Sequence, residues 1–211
     1  GADEDLGEVA RMPLTVQGEA TYNVANVAGA ALAALALGIE STVIAQVCAA
    51  FGRQPGDNAG RLMRFAHRGA TVIVDYAHNP DGLRGVLRVA RSLRGDGGRV
   101  ALLLGHAGNR RNEDYEDVAS VAAQFAPDLI VVKEDEQHLR GRAPGEVPAL
   151  LRSALLRFGV EPSRIEMQPT EVDAANRALE WARPGDVLAL LLHASSARAD
   201  VVARLSAEAG G

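Results

Sequence analysis

Two kinds of apolar pattern alternate along most of this chain. Residues 72–74, 100–104 and 187–192 are apolar at successive positions, with no polar residue between them. Strands covered on both faces have this pattern. The spacing predicts strands at 62–67, 70–76, 99–105, 128–133, 165–167 and 187–192. Helical periodicity lies between them, at 80–94, 113–125, 145–158, 171–182 and 196–208. The first two strands meet at Arg68-Gly69 as a hairpin, and thereafter strand and helix alternate with short loops. Such repeated units fold as an α/β domain, a Rossmann-like doubly wound and mostly parallel sheet flanked by helices.

The first quarter has a different rhythm. Residues 1–20 read as irregular or short strand, punctuated by Pro13 and Gly18. Residues 22–37 form an alanine- and leucine-rich helix closed by Gly38, and Ser41 reads as the N-cap of a second helix at 42–51. Glycine, proline and asparagine crowd 52–60. This places a small helical piece at 1–53 and the α/β domain at 54–211.

Composition narrows the chemistry. Aromatics are 4% and the formal net charge is −5, which argues against nucleic acid held by a basic surface or by stacked bases. No apolar stretch is long enough to cross a bilayer, and the first residues are acidic, so the chain reads as soluble and cytoplasmic. Cys48 is the only cysteine, which gives no disulfide and no cysteine-based metal site, and no metal ligand is assigned. Lys133 is the only lysine and follows no glycine-rich loop, which excludes a self-contained P-loop ATPase. Serine-hydrolase, zinc-hydrolase and dinucleotide fingerprints are also missing.

Ligands of open α/β sheets sit at the carboxyl ends of the strands. The first such loop carries Asp75 and His78, a carboxylate for hydroxyl groups and an imidazole for phosphate or proton transfer. Asn79-Pro80 in the same loop also makes a good N-cap and N1 pair for the next helix. The loop after 99–105 offers Arg110 and Arg111 among glycines, suited to carboxylate or phosphate, while Glu113 reads as helix-start compensation. The loop after 128–133 carries Glu134, Asp135, Glu136, Arg140 and Arg142, a charge density usual for a solvated loop but also able to hold a zwitterion. His193 and Ser195 follow the last strand, where a rim histidine is the ordinary reading. The residues alone imply an α/β domain that binds a nucleotide-like or amino-acid-like anion.

Taken in order, Pro13-Leu14-Thr15, Gly18, Tyr22-Asn23, Asn26, Gly60-Arg61, Asp75-Tyr76-Ala77-His78-Asn79-Pro80 and Glu134-Asp135 with Leu139-Arg140-Gly141-Arg142 and Gly145-Glu146 resemble the Mur ligase family. The last loop looks most like the C-terminal ligase region of the cyanophycin synthetase group. The resemblance implies ATP-dependent, ADP-forming amide-bond synthesis: a carboxylate acceptor becomes an acyl-phosphate, which an amino acid then attacks. It implies that Asn26 meets the adenine with Asn23 beside it, that Arg61 and Asp75 meet ribose or phosphates with Asn79 beside them, and that His78 stands catalytically on the phosphate side. Arg110, Glu134, Asp135, Arg140 and Arg142 become the candidates for the amino acid.

The same resemblance implies ATP and Mg²⁺, with the metal ligands in a central domain of which 1–53 is the tail. On this reading the chain is a C-terminal fragment, inactive alone, whose partners are the remaining domains of the same chain or a second copy. Asn109 and Tyr22 depart from the family pattern. The competing reading is a stand-alone nucleotide- or partner-binding module without catalysis.

Overall fold

The structure is a computed structural model that describes residues 4–209. It divides into two compact units, one ending at Ala59 and the other starting at Gly60. The division falls after the 53/54 boundary read from the sequence. Asp57 is the reason: its carboxylate accepts from the Gly52 and Gln54 amides and draws a short turn at Pro55–Asn58 back onto the first unit.

The first unit has two helices, α1 (Thr21–Ala36) and α2 (Ser41–Ala50). The stretch before them is two single 3₁₀ turns, Val9–Arg11 and Pro13–Thr15, and not a strand. Thr15 holds them together: its buried hydroxyl donates to the Val9 and Met12 carbonyls and accepts from the Gly18 amide. Ser41 is the first helical residue rather than the N-cap; Glu40 takes that place and makes no side-chain cap bond.

The second unit is a six-stranded sheet: β1 (Met63–His67), β2 (Ala70–Asp75), β3 (Val100–Leu104), β4 (Leu129–Lys133), β5 (Ile165–Gln168) and β6 (Val187–Leu191). The order across the sheet is β1-β2-β6-β3-β4-β5. Only the β1–β2 pair is antiparallel. Arg68 and Gly69 both have positive φ, the conformation of a two-residue hairpin turn that matches strand twist.

Every residue of β3 and β6 is buried, as their unbroken apolar runs predict, and β4 is buried throughout as well, including the Lys133 that closes it. Helices α3 (Pro80–Ser92), α4 (Asn112–Phe125) and α5 (Glu146–Arg157) pack in succession beside one another. Helices α6 (Glu171–Trp181) and α7 (Ser195–Ala209) pack together elsewhere on the sheet. Val72, Val74, Leu103, Val131, Leu188 and Leu190 form one core with Ala174, Ala178 and Leu179 of α6 and with Leu205 of α7. Small alanines on α6 let that helix lie close to the strands. The β5–α6–β6 return inserts the last strand into the middle of the sheet, and the carboxyl ends of β2, β6, β3 and β4 then share one edge.

Candidate functional site

Asp75 ends β2 and is 5% exposed. One carboxylate oxygen accepts from the Leu62 amide at 2.8 Å, the other from the Ala77 amide at 2.7 Å. Burial pushes its carboxyl above the ordinary range, opposed by those amides and by the Arg61 charge. Asp75 thus ties the entry to β1 to the exit from β2. Next, His78 Nδ1 lies 3.3 Å from the Tyr76 carbonyl, and the two rings are tilted together at 5.3 Å. Asn79 is the N-cap of α3: its side-chain oxygen accepts from the Gly82 amide at 2.8 Å, with Pro80 in the first turn.

A cleft of about 210 Å³ opens at this helix start, lined by His78, Asn79, Pro80, His106, Arg110, Asp114 and Asp117. His106 is buried, stacks edge-on against Tyr115, and its Nδ1 accepts from the Ala107 amide at 3.0 Å. Burial first, then the positive charges of Arg110, His78 and Lys133, lower its pKa to about 4, and Asp114 offsets this only in part. The cleft therefore joins a neutral imidazole, a second imidazole, a guanidinium and a helix N-terminus, with carboxylates on the α4 side. Such a set can hold an anionic or zwitterionic group.

The loop after β4 is stapled to the loop after β3. The Gly108 amide donates to the His138 carbonyl at 2.8 Å, and Arg140 donates to Asn109 Oδ1 at 3.2 Å. Arg142 is the main staple. Its guanidinium reaches Glu146 Oε1 at 2.6 Å, Asn112 Oδ1 at 2.9 Å and the carbonyls of Gly108 and Arg110, both at 3.3 Å. Glu134 is buried and accepts from the Gly145 amide at 2.6 Å; buried Asp135 lies 2.8 Å from His138 Nδ1.

The structure thus brings His78, Asn79 and Arg110 into one cleft and sets Glu134, Asp135, Arg140 and Arg142 into the adjoining stapled loops. Asp75 lies at the strand end behind His78, and Arg61 is an exposed neighbour in sequence of the Leu62 amide that Asp75 holds. Asn23 and Asn26 belong to the first unit. Asn23 is buried and donates to the Leu14 carbonyl at 2.9 Å, and Asn26 lies 3.4 Å from its side-chain oxygen. Ser195 opens α7, exposed.

Sequence reasoning passed over three residues. His106 lines the cleft. Lys133 and Glu171 form a fully buried ion pair under the loops, with His193 against them. Lys133 did leave a signal, as a lone lysine closing a buried apolar run; Glu171 in the first turn of α6 reads as an ordinary helix-start acid.

Among the described residues, no group of three or more His, Cys, Asp or Glu is placed to hold a metal ion, and no helix is long and apolar enough to cross a membrane.

Comparison with known proteins agrees with this architecture. The family model described as Mur ligase, glutamate ligase domain, matches residues 60–191. A cyanophycin synthetase of Trichormus variabilis is 33% identical over 190 residues, which cover 90% of this chain and 20% of that protein. The chain spans about a fifth of the length of that relative. Among solved structures, the UDP-N-acetylmuramate-alanine ligase of Thermotoga maritima superposes with a TM-score of 0.62 at 16% identity, over 89% of this chain and 38% of that one. The folylpolyglutamate synthase of Mycobacterium tuberculosis, solved with ADP and AMPPCP, gives 0.53 at 19% identity, over 77% and 34%.

Proposed function

The chain belongs to the Mur ligase family, and from that premise we propose that it is the nucleotide-contacting and amino-acid-receiving part of an ATP-dependent, ADP-forming ligase that works in the cytoplasm. In such a reaction the acceptor carboxylate takes the γ-phosphoryl group and ADP leaves. The amino group of the incoming amino acid then attacks the acyl carbon, phosphate departs and the amide forms.

The observation that carries this reading is the cleft at the start of α3, where His78, His106, Arg110 and a helix N-terminus converge at the carboxyl edge of the sheet. His78 offers an imidazole to the phosphate side. Arg110 offers a guanidinium to a carboxylate or phosphate, and Asp75 holds the segment that carries His78. Their contribution is positioning and charge, the main means of catalysis in phosphoryl and acyl transfer. Asn23, Asn26 and Arg61 are assigned to the nucleotide, and Glu134, Asp135, Arg140 and Arg142 to the loop that receives the amino acid. Arginine as substrate would use the two acids, and an acidic amino acid the two arginines.

Magnesium would neutralise the nucleotide phosphates. The described residues do not fit it as a ligand set, so its ligands are assigned to the preceding domain. That domain would also bring the phosphate-binding loop, so this chain alone is expected to be inactive.

The test is amino-acid-dependent ADP release by the longer polypeptide that includes this domain, screened with arginine, aspartate, glutamate and lysine. Release with one of them, lost in Arg61→Ala and Asp75→Ala, is the expected result. Normal turnover by both variants overturns the site, and silence with no ATP binding overturns the ligase reading.

A further inference from the structure

Lys133, at the carboxyl end of β4, is fully buried, and it does not face the cleft's ligand side as an exposed cation would. Its aliphatic stem runs beneath Gly105, the first residue after β3. A Cβ at Gly105 would lie 2.9 Å from Lys133 Cγ and 3.0 Å from Cε, so only glycine lets the stem pass. Beyond Gly105 the ammonium pairs with Glu171 in the first turn of α6 and lies 3.4 Å from His193 Nδ1. Glu171 in turn accepts from the His193 and Ala194 amides, at 3.0 and 2.9 Å, which fixes the loop after β6. His193 Nε2 lies 3.0 Å from the Ala77 carbonyl, in the segment between Asp75 and His78.

The roles at His193 follow from donor and acceptor chemistry. An ammonium only donates, so Nδ1 facing it must be the acceptor; a carbonyl only accepts, so Nε2 must carry the proton. The ring is therefore neutral, in the Nε2–H tautomer. The contacts run across the carboxyl edge from β4, past β3, to β6 and then to the loop after β2. Neighbouring strands are about 4.8 Å apart, so the two side chains together join loops about 15 Å apart across the sheet.

We propose that Lys133, Glu171 and His193 are a buried positioning relay that holds the Asp75–His78 segment in register with the loop after β4, acting through the hydrogen bond from His193 to the Ala77 carbonyl. Its use in catalysis rests on the ligase reading above; its existence does not. None of the three touches the cleft, so each acts through the segment it holds. The relay would keep the phosphate-side histidine at a fixed place relative to the loop assigned to the amino acid. The titratable and charged groups that bear on the ring are Lys133, Glu171 (4.0 Å from Nδ1), His106 and His78, with the Tyr76 ring edge-on at 5.5 Å. Burial, then the Lys133 charge, hold the imidazole pKa well below its ordinary value, in keeping with the neutral ring.

Nitrogen-15 NMR of the imidazoles in this chain tests the relay. The expected spectrum has His193 Nδ1 unprotonated and Nε2 protonated, unchanged from about pH 5 to pH 9, where a free histidine would titrate. An imidazolium or an Nδ1–H tautomer in that range overturns the proposal. In the double variant Lys133→Met with Glu171→Gln, the His193 ring should gain Nδ1–H character and the Ala77 and His78 amides should shift. The single variant His193→Gln, which keeps the ion pair, should shift those two amides as well. A folded His193→Gln that leaves both amides in place also overturns the relay, whether or not the double variant folds. No nucleotide or amino acid enters these measurements. A chain that shows the relay while its longer polypeptide releases no ADP and binds no ATP therefore overturns the ligase reading alone.

Discussion

The guanidinium of Arg99 lies 3.6 Å from the centre of the Trp181 ring, and the same side chain bonds Asp186 at 2.6 Å. Arg99 precedes β3, Trp181 ends α6 and Asp186 precedes β6, so the cluster pins the amino edge of the sheet, opposite the candidate site. Replacing Arg99 by methionine is expected to cost about 1–3 kcal/mol, the sum of a cation–π contact and charged hydrogen bonds. Trp181 is the only tryptophan, so its fluorescence should shift in the same variant, and a urea melt followed by that emission reads both effects.

That cluster also fixes a pH dependence. Burial pushes the Asp186 carboxyl up, but the bonds from Arg99 and the amides of Arg99 and Arg183 outweigh it and leave the pKa lowered. A lowered folded-state pKa gives stability that is complete above the usual aspartate range and lost as pH falls through the folded value. The stability gap between the Arg99→Met variant and the parent should therefore be widest above the usual aspartate range and narrow as pH falls through the folded value. A gap that does not change with pH would refute this.

His106 makes a separate contribution in a milder range. Its folded-state pKa of about 4 lies below the ordinary 6.5. Between those values the unfolded chain binds a proton that the folded chain does not, so stability falls as pH drops from about 6.5 toward 4. In His106→Gln this part of the slope should flatten, as measured by thermal melts at stepped pH.

The buried ion pair predicts an asymmetry. Lys133→Met alone leaves Glu171 as an uncompensated buried charge and should cost about 3–5 kcal/mol. Adding Glu171→Gln removes that charge and should restore a good part of the loss, though the amide can accept from only one of the two backbone N–H groups that Glu171 now serves. Denaturant midpoints of the two variants decide it: a double variant as unstable as the single would show that the charge is not the cause.

Arg142 should behave as a staple. A Cβ at Gly108 would collide with the Leu139 carbonyl oxygen, lying 2.8 Å from its carbon, so the loops after β3 and β4 touch backbone to backbone. Arg142→Ala removes three bonds across that contact, and the one to Glu146 on its own side, and should lower the denaturation midpoint, with faster amide exchange confined to 105–112 and 134–146. Gly108→Ala should loosen the same segments. Exchange that spreads over the whole sheet would mean a different role.

Much of the fold was legible because strands buried on both faces leave unbroken apolar runs, as in β3 and β6. Strand order was not legible, since an apolar run does not name its neighbour. Ser41 reads as a cap from its residue type, yet a backbone that turns one residue earlier made Glu40 the cap position. At the site, Asp75, His78, Asn79 and Arg110 stood out because polar residues at strand ends are conspicuous. The Lys133–Glu171 pair was hidden as a pair: Lys133 stands out at the end of an apolar run, but Glu171 lies 38 residues away and reads as an ordinary helix-start acid.

The central place of β6 has a consequence for how the chain is made. Thr71–Asp75 pair with Val187–Leu191, so β2 finds its parallel neighbour only when nearly the whole domain has left the ribosome. Until then β3, β4 and β5 can align with one another, but β3 and β2 each present an open edge. Pairings between residues so distant in sequence form slowly, and open edges invite aggregation in the interval. Synthesis from the first residue to the last therefore leaves the sheet in two halves until its final strand is inserted between them.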